Sequence, residues 1–292
     1  MKTWIRMRWS VCLVALLAAI GCTEMAPKPV VMAPPTAQPL KDYIIYSPTT
    51  WSGEIRIVRP VIVTTKATLT LQPGTKVFFD LPDAPPGKDP EPWILVLGSL
   101  VAMGTAEQPI LFSSVRLWQN DVDDMIKVDG AKEAHFRRCV FERGPWAIHV
   151  HETAADLSDC IFREDFGGVR FQGGKIVLRG NRFQDNRIGV RSLRSSPVIE
   201  ENSFFGNLTG IFFREGIAGA VVRRNNFDNR EYDIKLGETQ TEDVDASGNW
   251  WQAAQGGRLA ERIYDGKDTP GIGRVNIDSP LAAPWGAEPK KQ

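Results

Sequence analysis

Residues 160–180 read CIFREDFGGVRFQGGKIVLRG, residues 181–201 read NRFQDNRIGVRSLRSSPVIEE, and residues 202–224 read NSFFGNLTGIFFREGIAGAVVRR. Set under one another, they place Phe162, Phe183 and Phe204 in one column. Phe141 precedes them by the same 21-residue step, and Phe227 and Trp251 follow after slightly longer ones. Seven residues past each Phe stands an aliphatic residue: Ile148, Val169, Val190, Ile211 and Ile234. Five residues before stands another apolar one: Phe136, Leu157, Leu178, Ile199 and Val222. Between these points apolar and polar residues alternate over two to five positions, as in AIHV, GVRF and DIKL, which is strand periodicity. A unit this short cannot bury its apolar face alone. Stacking successive units about 4.8 Å apart pairs equivalent strands in parallel and joins the aligned Phe, Ile and Val into one core.

Two residues before each aromatic come Cys139, Cys160, Asn181, Asn202, Asn225 and Asn249. Asn satisfies turn backbone with its side chain and tolerates the left-handed conformation, so this column is assigned to a sharp turn between strands. With these ladders, the region from about residue 50 to 285 resembles the right-handed parallel β-helix proteins of the pectate lyase-like class. The resemblance implies an all-β solenoid with rungs of about 21 residues and capped ends. A leucine-rich-repeat solenoid is the rival, and its LxxLxL signature is absent. Earlier rungs are legible in ATLTLQPGTKVFF (67–79) and GSLVAMGTAEQPILF (98–112), whose Leu69 and Leu100 are equivalent. The Pro-rich excess between them, DLPDAPPGKDPEPW, is expected as a loop thrown out of one coil. At the far end NWWQAAQGGRLAERIYDGKDTPGIGRVNIDSPLAAPW resembles the closing segment of bacterial β-helix repeat proteins, with Gln252 where Gly is usual. Trp250, Trp251, Leu259, Ile263 and Trp285 are expected to cap the open end of the stack; a sugar-binding shelf is the alternative for Trp250.

The N-terminus supplies the location. Lys2, Arg6 and Arg8 precede an apolar run from Val11 to Ile20, too short for a stop-transfer helix. Ala19-Ile20-Gly21-Cys22 resembles the bacterial lipobox, which implies cleavage before Cys22 and acylation of its thiol. Thr23 stands where an inner-membrane retention signal would have Asp, so the resemblance points to the outer membrane, with the periplasmic or surface face left open. The expected organisation is a lipoprotein signal peptide over 1–21 and a Pro-rich tether over 22–40. The β-helix domain then covers 41–285, with its cap from about 249, and a polar tail covers 286–292. The chain carries 35 basic and 35 acidic residues. Losing three basic ones with the signal leaves the mature protein slightly acidic, which argues against a nucleic-acid partner.

Function is expected on the outer face of the sheet that follows the Asn-Phe turn. One residue past each core aliphatic lie His149, Arg170, Arg191, Phe212 and Lys235; two further on lie His151, Gln172, Leu193, Arg214 and Gly237. Alternation turns both series to solvent. The candidate ligand-binding face is therefore His149, Arg170, Arg191, Phe212, Arg214 and Lys235, basic with one aromatic. It suits an anionic polymer such as a uronate-containing polysaccharide, or is simply a solvated face whose long side chains cover apolar surface. Neither series contains a carboxylate. Asp165 and Asp185 could approach the face, and read more simply as turn formers. His149 and His151 point outward from one strand, which resembles periplasmic copper-handling β-helix proteins, but two ligands are too few for a closed metal site. No metal and no cofactor is called for. Cys139 and Cys160 occupy equivalent places in adjacent rungs, as either a disulfide or a buried thiol ladder.

These readings combine into a membrane-anchored envelope lipoprotein. It presents a rigid β-helix side to polysaccharide or another envelope component, without catalysis, and its membrane contact runs through the N-terminal lipid. The alternative is a polysaccharide lyase or glycoside hydrolase acting on acidic glycans around Arg170 and Arg191. Carboxylates clustered within about 5 Å of the basic column would favour that enzyme.

Overall fold

The computed structural model describes residues 37–81, 93–117, 122–217 and 219–286. The signal peptide, Cys22, the tether as far as residue 36, residues 82–92 of the expected loop and the tail from 287 lie outside them.

Each coil places one short strand in each of three parallel sheets, of ten, eight and nine strands. One full coil is Gly167–Gln172 in the ten-strand sheet, Ile176–Arg179 in the eight-strand sheet and Arg182–Gln184 in the nine-strand sheet. The strands pair with those of the preceding and following coils, all in parallel. Parallel crossovers of this kind wind right-handed. The molecule is a right-handed parallel β-helix.

The register is the one the period predicts. Phe141, Phe162, Phe183, Phe204, Phe227 and Trp251 stack with ring planes within 13° and centroids 4.5 to 5.1 Å apart. Phe112 heads this column at 4.7 Å from Phe141, a member hidden in the sequence by its 29-residue step. These Phe side chains are fully buried. Each contributes on the order of 2 to 3 kcal/mol through burial, and the offset stacking adds to it. Leu69 and Leu100 pair as expected.

The Asn column does what the turn requires, with one correction. Asn181, Asn202, Asn225 and Asn249 are buried, and each Nδ2 donates to a backbone carbonyl of the preceding coil, at Leu157, Leu178, Ile199 and Val222. The left-handed residue is the one before the Asn: Gly180, Glu201, Arg224 and Gly248 have φ between 57° and 68°. The Asn side chain holds the turn while its neighbour adopts the strained conformation. Cys139 and Cys160 continue the column as buried free thiols. Their Sγ atoms reach the carbonyls of Ala102 at 3.4 Å and Ser158 at 3.3 Å, so the structure shows the thiol ladder.

A second ladder was not expected. Three residues past the Phe of each coil lie Asp165, Asn186 and Asn207, and after them Asn229, all buried. Asn186 Nδ2 donates to Asn207 Oδ1 at 3.0 Å and Asn207 Nδ2 to Asn229 Oδ1 at 2.8 Å.

At the C-terminal end Trp251 stacks on Phe227 and Trp250 is buried beside it, so Trp250 offers no shelf to a sugar. Short 3-10 helices at Gln252–Gly256 and Leu259–Arg262 lead into Ile263–Tyr264, the last strand of the ten-strand sheet. Trp285 departs from the expected cap: its side chain is exposed, Arg224 lies 5.2 Å from its ring centroid, and its backbone is held by Asn226.

Candidate functional site

The ten-strand sheet carries the predicted column. Leu95, Lys127, His149, Arg170, Arg191, Phe212, Lys235 and Tyr264 succeed one another in register on its outer side. The second outward series holds for His151, Gln172 and Leu193 and then fails. A β-bulge pairs Leu193 with Glu215 and Glu215 with Thr239. Arg214 and Gly237 therefore leave that column, and Glu215, ion-paired to Arg194 at 2.6 Å, takes its place. One coil above His151 the same series begins with Asp129. The expectation of a face without carboxylates is thus corrected at both ends.

The N-terminal half of the face is neutralised from within. Asp124 is buried at the edge of the column and meets two of its members: Oδ2 lies 2.9 Å from His149 Nδ1, and Oδ1 lies 2.8 Å from an Arg170 Nη2. Arg170 also donates to the carbonyl of Val122 at 3.2 Å. Burial lowers the His149 pKa below its ordinary value, against the opposing pull of Asp124 and with help from Arg170 and Lys127. His149 is therefore neutral at physiological pH and uses Nδ1–H to bond Asp124. Asp129 receives His151 Nδ1 at 2.9 Å and Lys127 Nζ at 2.8 Å. Burial alone would raise its pKa; the hydrogen bonds from Lys127 and His151 outweigh that and hold it low.

Beneath the arginines lies Trp146, fully buried. Its indole crosses Gly167 of the next coil, where a Cβ would come within 2.3 Å of the ring. Arg191 and Arg170 cover it, with guanidinium carbons 4.6 and 5.4 Å from the ring centroid. Both arginines therefore contribute to packing.

The C-terminal half is different. Phe212, Arg214, Lys235, Glu238, Thr239 and Tyr264 line an open cleft of about 360 Å³. Lys235 Nζ sits 5.3 Å from the Tyr232 ring centroid and 5.1 Å from that of Tyr264. Arg214 is exposed, and neither cation forms an ion pair with another described residue. Of the six predicted face residues, the structure gathers Phe212, Arg214 and Lys235 here and places His149, Arg170 and Arg191 in the packed half. Asp124, Trp146 and Tyr264 were missed: the first two belong to the coils where the period begins, and Tyr264 lies within the irregular cap. Asp165 and Asp185 do not join the face. Asp165 is buried in the second ladder and Asp185 pairs with Arg230 at 3.0 Å. Among the described residues no three or more His, Cys, Asp or Glu side chains are grouped to hold a metal ion.

Fold and face together define a right-handed parallel β-helix protein with a mixed cationic and aromatic side. A family model described as "Periplasmic copper-binding protein (NosD)" matches residues 114–254, the span of the regular coils. Among solved structures, a mutant of the periplasmic alginate epimerase AlgG is similar at 14% identity, over 80% of this chain and 74% of that one, with a TM-score of 0.27. No curated relative matches the chain.

Proposed function

We propose that this protein is a lipid-anchored component of the cell envelope, attached through Cys22, whose β-helix binds an acidic polysaccharide or another anionic envelope component without catalysis. The envelope location is supported by the lipobox-like N-terminus and by the periplasmic family whose model matches the regular coils. The observation that carries the binding reading is the cleft at Phe212, Arg214, Lys235 and Tyr264. Two cations that form no ion pair with another described residue stand beside two aromatic rings, with Glu238 in the same cleft, an arrangement that suits a sugar carboxylate and its apolar ring face. Exposed charge contacts contribute only about 0.2 to 1 kcal/mol each, so affinity comes from several repeats of the polymer acting together.

Retention of the full-length protein, in detergent, on an acidic-polysaccharide column tests this. Retention should fall with salt and be lost on changing both Arg214 and Lys235 to Gln, with the melting temperature held. A wild-type protein that shows no salt-sensitive retention would remove the proposal.

One observation favours the enzymatic reading as a second. His149, oriented by Asp124 and neutral, keeps Nε2 available to accept a proton, with Arg170 beside it. Asp124 and Asp129 are the carboxylates beside His149 and Lys127 in this half of the face, and both are already engaged by cations. Cleavage products from acidic glycans that vanish in His149→Gln would establish this reading over the first.

Copper, named in the description of the matching family, finds no fitting donor set among the described residues. His149 and His151 have ring centroids 6.4 Å apart, with both Nδ1 atoms held by Asp residues and Arg170 adjacent, and the thiols of Cys139 and Cys160 are buried in the turn column.

A further inference from the structure

The second ladder is directional. Asn186 Nδ2 donates to Asn207 Oδ1, Asn207 Nδ2 to Asn229 Oδ1, and Asn229 Nδ2 to Asp233 Oδ1. Three of the ladder's Oδ1 atoms also accept a backbone N–H: Asp165 N–H reaches Asn186 Oδ1, Asn186 N–H reaches Asn207 Oδ1 and Asn229 N–H reaches Asp233 Oδ1, all at 3.0 Å. Asp165 enters the pattern through its own Oδ1, which accepts the Gly144 N–H at 2.8 Å. Its Oδ2 therefore occupies the place where an Asn carries Nδ2.

In the next coil that nitrogen donates to two acceptors, Asn207 Oδ1 and the carbonyl of Phe162. One coil earlier the register puts Asn186 Oδ1 and the carbonyl of Phe141 in those positions. Asp165 Oδ2 is buried, and no donor among the described residues reaches it. An ionised oxygen there would face two acceptors without compensation, the most unfavourable arrangement for a buried charge. We propose that Asp165 is a neutral carboxylic acid at physiological pH, with its proton on Oδ2 donated into the ladder in place of an amide N–H.

The charged groups around it do not supply the missing donor. Glu142 faces it from the preceding coil of the nine-strand sheet, Arg163 from the strand of its own coil and Glu164 from its own turn, while Asp185, Arg187 and Arg230 line the cleft alongside. Burial pushes its pKa well above the usual carboxylate range; the Gly144 N–H opposes this, and Glu142 and Glu164 add to it. The sign follows. Because the folded pKa lies above the unfolded one, the stabilisation is complete at low pH and is lost as pH rises through the folded value. The Gly144 N–H that Asp165 accepts lies directly before the strand Trp146–His151, so the acid sits at the base of the face that carries Trp146 and His149.

Asp165→Asn supplies the amide that the pattern calls for. In the full-length protein, the melting temperature of wild type should fall relative to Asp165→Asn by at least about 3 °C between pH 6 and pH 9. Infrared spectra of protein labelled with ¹³C-carboxyl Asp should show a protonated-carboxyl stretch at pH 7.5 that Asp165→Asn lacks and Asp233→Asn keeps. Should Asp165→Asn fail to fold, the band in wild type and in Asp233→Asn still decides. Absence of the band in wild type at pH 7.5, or an Asp165→Asn protein less stable than wild type at pH 8, would overturn the assignment.

Discussion

Asp124 Oδ2 lies 2.9 Å from His149 Nδ1, twenty-five residues on, and its other oxygen lies 2.8 Å from Arg170. One buried carboxylate thus anchors two successive members of the basic column. Removing it leaves a largely buried guanidinium without its anion, so Asp124→Ala should cost about 3 to 5 kcal/mol. Arg170→Gln should also destabilise, since Arg170 covers Trp146. Urea denaturation measures both; a silent Arg170→Gln would show this half of the face to be free for ligand.

Phe183 stacks between Phe162 and Phe204 at 4.8 Å on either side. Phe183→Ala opens a cavity inside the column and should cost roughly 3 to 5 kcal/mol, whereas Gln184→Ala, next to it on the outside, should be nearly neutral. Equal effects in chemical denaturation would contradict the register.

Gly167 exists to let Trp146 lie across it. A methyl group there would come within 2.3 Å of the indole, which Arg170 and Arg191 cover from the other side. Gly167→Ala should cost about 1 to 3 kcal/mol and shift the fluorescence of Trp146 toward that of a solvated indole.

Asp233 ends the second ladder as an acceptor, and burial pushes its pKa up to about 6, against the hydrogen bonds from Asn229. The folded value is above the unfolded one, so its contribution is complete below about pH 4 and is lost as pH rises through 6. On the order of 3 kcal/mol is at stake at neutral pH. Asp233→Asn should flatten the melting temperature between pH 4 and 7; an unchanged profile would assign that slope to other groups.

Cys22 lies outside the described residues, and no helix among those described is long and apolar enough to cross a membrane. Cys22→Ser should abolish labelling by a radioactive fatty acid and release the protein from the membrane fraction. Retention after a high-salt wash would refute the lipid anchor.

The parts of this structure that repeat every 21 residues were legible in the sequence, because stacking turns sequence period into spatial register. Phe141 to Phe204, the aliphatic column from Ile148 to Ile211 and the turn residues from Cys139 to Asn202 all obey it, and the later rungs depart from it by only two or three residues. What escaped is what breaks or precedes the period. Phe112 stands 29 residues before Phe141. The bulge between Phe213 and Glu215 exchanged a cation for a carboxylate, and Asp124 acts on later coils from before the regular run. Asn186 and Asn207 keep the period but sit among polar turn residues, where burial leaves no mark in the alternation.

The turn column has a built-in terminus. In Asn181, Asn202 and Asn225 the amide nitrogen hands its proton forward to the next Asn, so the dipoles of the side chains all point toward the C-terminal end. A string of this kind would invite another coil to accept the last proton. Asn249 withdraws the invitation: its Nδ2 turns to the carbonyl of Ala246, 2.7 Å away in its own turn. The Asn column thus closes its own hydrogen-bond polarity, and a second molecule abutting this end would find no amide hydrogen of Asn249 left to accept, since both are given to the carbonyls of Val222 and Ala246.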